Sequence, residues 1–381
     1  MDAYTTKRSY RSFDFLLAAI VIGLSVFGII VINSATRATV GGEAPNYYYS
    51  QILWVISGIT LMLLAAFIDY HFISRFYIVI YAVNIALLIL VLFLGGSDST
   101  GTARWIRFGG FNLQPSEFCK VFMIVSLARY IETFEQNLNK PLMLLLTLVL
   151  VFLPVSLIVI QPSLSAALVV VTLSLGILFA GKLSYKYIVP VLAFTVPLAI
   201  VALVDLSRET PIIVTRLLKD YQIERIMLWL SPDVSDPKYF QTMQSIRAIG
   251  SGLIDGKGLS KGDTVVPYAH NDFIFAVIGE ELGFIGCIAV LAAFLLIALK
   301  CLFIAYKAVD VNGRLIASGV GILLAFQTFV HVGVATGMLP NTGTPLPFVS
   351  YGGSSMWVSM VSVGLCINVG MTKHKSFFEG S

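Results

Sequence analysis

The chain has little of what a water-soluble protein needs. Only 12% of its 381 residues are charged, 25 Lys and Arg against 21 Asp and Glu, whereas a soluble domain carries about twice that fraction. Runs such as Phe15–Ile32 and Leu142–Ile160 contain no charged side chain. There are four histidines, and the four cysteines, Cys119, Cys287, Cys301 and Cys366, lie beside or within apolar runs without CxxC spacing. That excludes a Cys/His zinc module and leaves buried free thiols as their reading. No GxxxxGK[ST] follows a strand, which excludes a Walker-type nucleotide loop. The first apolar run is preceded by Lys7, Arg8 and Arg11 and lacks a small-residue cleavage site, so it is expected to stay as a transmembrane helix.

What the chain does have is apolar length. About 18 apolar residues in a row cross a bilayer core of roughly 30 Å. Such runs fall near 13–33, 51–68, 76–95, 115–131, 141–160, 164–181, 187–205, 273–306, 315–338 and 355–372. The expectation is an all-α integral membrane protein, residues 1–381 forming a single polytopic domain of about ten spans. The run 273–306 is too long for one simple span, and its first part is expected to be tilted or broken near the surface. An even number of spans puts both termini on one side. With that side cytoplasmic, the inner segments collect Lys7, Arg8, Arg11, Arg75, Arg129, Lys140, Lys182, Lys186, Lys300, Lys307, Arg314, Lys373 and Lys375, while the short outer loops hold Arg37, Arg104 and Arg107. The positive-inside rule selects that orientation, and the net charge of +4 then needs no nucleic-acid partner. The outer face carries the elaborate loops: a glycine-rich one at 95–114, a large extracytoplasmic loop at 206–272 between spans seven and eight, and a Pro/Gly/Ser loop at 339–354.

Four stretches could carry chemistry. In GTARWIRFGGFNLQPSEFCK, Gly101 to Lys120, Arg104 and Arg107 flank Trp105, and Pro115 opens an apolar helix. Glu117 and Lys120 lie three apart on one face of that helix. A capped helix with a self-neutralising pair is one reading. An anion site for a diphosphate, using Arg104, Arg107 and Lys120, is the other. In the large loop, YQIERIMLWLSPD, Tyr221 to Asp233, suggests a short amphipathic helix on the membrane surface. AIGSGLIDGKGLSKGD, Ala248 to Asp263, follows with five glycines and the cations Lys257 and Lys261; it reads either as a solvated turn or as a backbone able to approach a ligand closely.

The third stretch, VPYAHNDFIFAVIGEE, Val266 to Glu281, sets His270 and Asp272 at the lip of an apolar segment and Glu280 and Glu281 about two turns deeper. Asp272 fits a helix cap or an outward-facing carboxylate. Ionised groups at membrane depth are costly and by default functional, so Glu280 and Glu281 need a partner, for which Lys120 is a candidate. The fourth, TGMLPNTGTPLPFVSYGGSS, Thr336 to Ser355, has too many prolines for a helix, and such backbone survives at membrane depth only when buried or lining a cavity. Its serines have no His/Asp relay and are not read as nucleophiles.

Taken together and in this order, ARWIRFGGFNLQPSE, the arginine and proline of ERIMLWLSPD, QSIRAIGSGLIDGKGL, HNDFIFAVIGEELGFIG and TGTPLPFVSYGGSS resemble the SEDS family (shape, elongation, division and sporulation), whose members include RodA, FtsW and SpoVE. The resemblance covers essentially the whole chain. It implies an integral glycosyltransferase of the bacterial cytoplasmic membrane that polymerises lipid II into peptidoglycan strands. The implied partners are lipid II, the undecaprenyl-diphosphate-linked strand, membrane lipids and a class B penicillin-binding protein. It also implies Asp272 as the catalytic residue and associates Trp105, Glu117 and Lys120 with activity. Arg104, Arg107 and Lys257 join these three as expected diphosphate or sugar contacts, and His270, Glu280, Glu281, Ser350 and Tyr351 are expected to support the site. No cofactor is identified, and a divalent cation has no ligand cluster of defined spacing behind it.

The residue types suit the chemistry, which needs one carboxylate as general base and cations for a leaving diphosphate. A helix N-terminus would lower the pKa of Asp272 and weaken it as a base, whereas a nearby diphosphate would raise it; His270 is the alternative base. Four positions depart from the family pattern: Ser163 in QPSLS stands where a carboxylate is usual, His331 where asparagine is, Asn341 where valine is, and Asn271 where threonine is. Two other function classes compete. A lipid II flippase would need polar groups through the full bilayer depth, and a non-catalytic scaffold would tolerate loss of Asp272.

Overall fold

A computed structural model describes residues 6–8, 10–39, 47–97, 103–108, 111–184, 220–232 and 236–374, with scattered positions between 186 and 205. The chain is a helical bundle. Helix α1 (Phe15–Thr39) starts where Asp14 accepts the Leu17 N–H at 3.0 Å. It is followed by α2 (Tyr47–Phe67), the short α3 (Tyr70–Arg75) and α4 (Tyr77–Leu94). Proline occupies the first turn of both α5 (Pro115–Thr133) and α6 (Pro141–Ile160), where its missing N–H leaves no bond unmade. Then come α7 (Leu164–Ala180), α8 (Asp220–Leu230), α9 (Pro237–Ser251), α10 (Ile274–Lys307), α11 (Val311–Ala335) and α12 (Gly353–Met371). Asp310 caps α11 by accepting the Gly313 N–H at 2.6 Å.

Among the described residues, seven of these helices (α1, α2, α4, α6, α10, α11 and α12) are long and apolar enough to cross a membrane, and α7 is a shorter apolar helix. Most of the span expected at 187–205 lies outside the described residues. Helices α5, α11 and α12 form the middle of the bundle, while α4 and α6 turn side chains such as Phe93 and Phe152 outward. In lipid those exposed apolar groups need no cover.

The first and last described strands pair. Strand β1 (Thr6–Arg8) pairs antiparallel with β5 (Thr372–His374). Beside them, Asn368 donates to the Ala65 carbonyl at 2.7 Å, and Tyr70 donates to Asp310 at 2.8 Å. His71 bridges Asp69 at 2.9 Å and Asp310 at 2.5 Å.

The other end of the bundle departs from the all-helical expectation. The glycine-rich loop at 95–114 folds into a three-stranded antiparallel sheet, β2 (Gly96–Ser97), β3 (Ala103–Phe108) and β4 (Phe111–Leu113), with Ile106 opposite Leu113 and Phe108 opposite Phe111. The alternation ARWIRF carries the strand signal, which the glycines around it obscure.

Helix α10 is broken, as its length leads one to expect, and the break is at Gly283, with φ 63° and ψ −160°. The glycine-rich stretch of the preceding loop fills the break. Lys257 and Gly258 donate backbone N–H groups to the carbonyls of Glu280 and Glu281, both at 2.9 Å. In return, Phe284 and Ile285 donate to the carbonyls of Leu253 and Ile254 at 2.9 and 3.2 Å. The backbone groups freed by the break are thus satisfied, as their burial requires. A Cβ on Gly283 would lie 2.4 Å from the Gly256 nitrogen. The stretch is therefore a docked strap rather than a solvated turn.

Candidate active site

Asp272 lies at the sheet-bearing end, half-buried, on a cavity of about 220 Å³. It is not the helix cap that the sequence suggests. Phe273 holds the cap position of α10, and Asp272 belongs to the preceding turn, where the N–H groups of Asn271 and Asp272 both donate to the Tyr268 carbonyl, at 3.0 and 3.3 Å. The loop between α11 and α12 holds this turn. Ser350 donates to the Asn271 carbonyl at 2.7 Å while accepting the Leu346 N–H at 2.8 Å, and the Tyr351 N–H donates to the His270 carbonyl at 2.9 Å. His331, inside α11, steadies the same loop through the Thr344 carbonyl at 2.8 Å. Gly343 has φ 69°, and a Cβ there would approach Asp272 Oδ2 to 3.3 Å. Ser350 and Tyr351 thus support the site through backbone geometry.

The cations arrive from three other elements. From β3, Arg104 reaches the Pro162 carbonyl and lines the cavity together with Trp105. Arg107 faces Asn112 in the strand register, but its side chain lies outside the described residues. From α5, Lys120 and Glu117 line the floor as a buried pair at 2.5 Å. Lys120 is therefore compensated internally and supplies a polarised ammonium rather than a free positive charge. From α8, Arg225 donates to the Asn341 carbonyl at 3.0 Å and lines the same cavity. Ser163, at the departure from the family pattern, is on the wall.

The electrostatics of Asp272 follow. Burial pushes its carboxyl up to about 6, against the opposing pull of Arg225 and Arg104. Walls of protein, not the helix terminus, decide its basicity. His270 is a poor rival. Its ring stacks on Tyr47 at 4.5 Å and meets the edge of Tyr351 at 5.9 Å, burial lowers its pKa, and it does not line the cavity.

Three expected residues are elsewhere. Lys257 binds Glu280 at 2.7 Å and also Asp263, and these hydrogen bonds, led by the one to Asp263, hold its ammonium above the ordinary value. Glu280 further accepts from the N–H groups of Asp263 and Thr264 and from the Thr264 hydroxyl. Glu281 accepts from Ser34 of α1. Neither glutamate meets Lys120; their partners come from the strap and from α1, which makes them structural and takes Lys257 out of the cavity. Sequence reasoning missed the place of Arg225 in the site, although an arginine amid the apolar residues of the amphipathic stretch IERIMLWL is the signal that marks it. A second cavity, of about 460 Å³, opens beneath α8, and Arg104 and Arg225 line both. Among the described residues no group of three or more His, Cys, Asp or Glu could hold a metal ion.

The family model described as "Cell cycle protein", built on FtsW, RodA and SpoVE, matches residues 14–375. The chain belongs to the FtsW/RodA/SpoVE family. Among its curated relatives, a probable peptidoglycan glycosyltransferase FtsW of Geobacter metallireducens is 34% identical, over 95% of this chain and 96% of that one. The peptidoglycan glycosyltransferase MrdB of Escherichia coli is 33% identical over 93% of both. A solved structure on the coordination of polymerization and crosslinking by a peptidoglycan synthase complex superposes with TM-score 0.79 at 28% identity, covering 94% of this chain and 97% of that one. The crystal structure of the rod shape determining protein RodA of Thermus thermophilus gives TM-score 0.69 at 25% identity, covering 95% and 97%. Family membership extends over both the bundle and the loops that carry Asp272, since the match runs through every segment that builds the cavity.

Proposed function

We propose that this family member is a peptidoglycan glycosyltransferase that polymerises lipid II at the outer face of the bacterial cytoplasmic membrane, with Asp272 as general base. The observation that carries the site is a partly desolvated carboxylate, Asp272, sharing a cavity of about 220 Å³ with two arginines, while the second carboxylate there, Glu117, is paired with Lys120. The acceptor sugar hydroxyl gives its proton to Asp272 as its oxygen bonds the donor anomeric carbon. The bond from that carbon to the diphosphate oxygen breaks, and its electron pair leaves on the diphosphate. Arg104 and Arg225 neutralise that developing charge, worth several kcal/mol in a water-poor site. A base with a pKa of about 6 is ionised at neutral pH yet retains proton affinity, which is the compromise general-base catalysis calls for.

The reading includes ten spans with both ends cytoplasmic. The seven long apolar helices, with α5, α7 and the span that the sequence leads one to expect at 187–205, are consistent with that count, and the β1–β5 pairing favours an even number. The likeness to a structure that couples polymerization to crosslinking supports a class B penicillin-binding protein as partner. Polymerisation of purified lipid II by the parent and by Asp272→Ala, each with the partner transpeptidase, tests this. Glycan from the parent alone is expected; equal polymer from both ends the assignment, and lipid flipping without polymer replaces it with transport.

A further inference from the structure

The larger cavity beneath α8 is not accounted for by one sugar and one base. It is joined to the Asp272 cavity at Arg104 and Arg225, the residues that line both. Its remaining wall combines the Trp229 and Tyr239 rings, the Gln241 and Asn341 amides and the Thr242 hydroxyl with the Glu224 carboxylate and with leucine and proline side chains between them. That wall is held in place by its own bonds. The Trp229 indole donates to the Gly337 carbonyl at 3.1 Å, Asn341 donates its amide to Gln241 Oε1 at 3.1 Å, and Gln241 donates to the Pro267 carbonyl at 2.9 Å. The Asn341–Gln241 bond leaves the Asn341 side-chain oxygen as an acceptor.

Aromatic faces beside amides and a hydroxyl suit a pyranose bearing N-acyl groups, and the polar groups among them distinguish this wall from a seat for a polyprenyl tail. The groove between α10 and α11, walled by Phe294, Leu295, Phe329 and Val332, shows what an apolar surface on this protein looks like. A reaction that joins two glycans through one displaced diphosphate needs two sugar seats, with the phosphates at their junction. Here the junction is the arginine pair.

Resting on the glycosyltransferase reading above, we propose that the chamber beneath α8 seats the N-acylated sugars of the diphosphate-bearing donor, and that Asn341 determines how well they are held. The diphosphate lies between Arg104 and Arg225, and the donor glycan extends away from Asp272 under Trp229.

The test compares two probes, lipid II and undecaprenyl diphosphate without sugar, for binding to the full-length protein in detergent. Asn341→Val removes the amide but keeps the backbone carbonyl that holds Arg225. Lipid II is expected to bind about five- to tenfold more weakly, what one net hydrogen bond is worth, with KM raised to match and kcat within about twofold. Undecaprenyl diphosphate is expected to bind as before. Asn341→Asp, which keeps the size and adds an anion beside both arginines, should weaken both probes. Unchanged lipid II binding and KM in Asn341→Val overturns the proposal. Equal weakening of both probes by Asn341→Val also overturns it, because the amide then faces phosphate rather than sugar. A parent that binds lipid II without polymerising it defeats the general-base reading of Asp272, yet the response to Asn341→Val still decides the chamber.

Discussion

Replacing Asp272 by Asn should make the protein inactive and more stable, and the gain should depend on pH. In the folded protein burial lifts the Asp272 carboxyl from 3.8 to about 6, a rise of about two pH units, or about 3 kcal/mol at 1.36 kcal/mol each. The folded pKa lies above the unfolded one, so between those two values the folded state binds more protons. Stability then falls as pH rises through that window and the full penalty persists above it. Asparagine cannot ionise and escapes the penalty. The expected advantage over the parent is about 3 kcal/mol near pH 7.5, shrinking to about 1 kcal/mol near pH 4.5. Thermal unfolding of the detergent-solubilised protein, followed by tryptophan fluorescence at the two pH values, reads this as a gain of a few degrees at the higher pH. A gain of the same size at both pH values would refute the desolvated carboxylate, because removal of an ordinary surface charge has no such dependence.

Glycan polymerisation by the parent should fall as pH drops through about 6, and in Arg225→Gln the acid limb should move to higher pH because a charge opposing the rise is lost; a limb that stays put separates Arg225 from Asp272. Gly343→Val should cut kcat at least tenfold at near-normal expression, because φ 69° and a Cβ 3.3 Å from the carboxylate displace the base, as polymerisation assays would read. Lys257→Met should cost about 1–3 kcal/mol, since Glu280 loses one of its four donors while Asp272 is untouched; reduced thermal stability with kcat preserved in the surviving protein is the expected pattern. Gly283→Ala should cost more than that and lower the yield of folded protein, because the added carbon meets the strap's backbone 2.4 Å away.

Much of the bundle is legible in the sequence because lipid imposes a length and an apolarity on every span, and α1, α6 and α10 satisfy both without ambiguity. The break in α10 is legible for the same reason: 34 residues exceed what one span needs. What is not legible is pairing between distant segments. Glu280 and Glu281 announce themselves as buried charges, but nothing local says that Lys257, 23 positions earlier, and Ser34, in the first helix, are their partners. The cap reading of Asp272 fails because a local rule competes with a tertiary one: the loop before α12 pulls residues 270–272 into a turn and moves the helix start to Ile274. The sheet at 96–113 is hidden by its glycines, and Arg225 by the amphipathic helix that carries it. Asp272 is singled out by its place in the HNDFIF motif of the resemblance, since by local rules alone a carboxylate there reads equally well as a helix cap.

The interleaving of α10 with residues 252–264 also sets an order of events during synthesis. Everything that the Glu280–Glu281 clasp requires, namely Ser34, Lys257, Asp263 and Thr264, has already been made when α10 leaves the ribosome, so the clasp can close at once. The turn bearing Asp272 is different: Gly343, Thr344, Ser350 and Tyr351 lie between α11 and α12 and are made only after α10. A chain cut short after α10 would therefore hold its strap and lack a positioned base. The proposed reacting centre is thus completed only by a segment made after α10, and shorter nascent chains hold it unfinished.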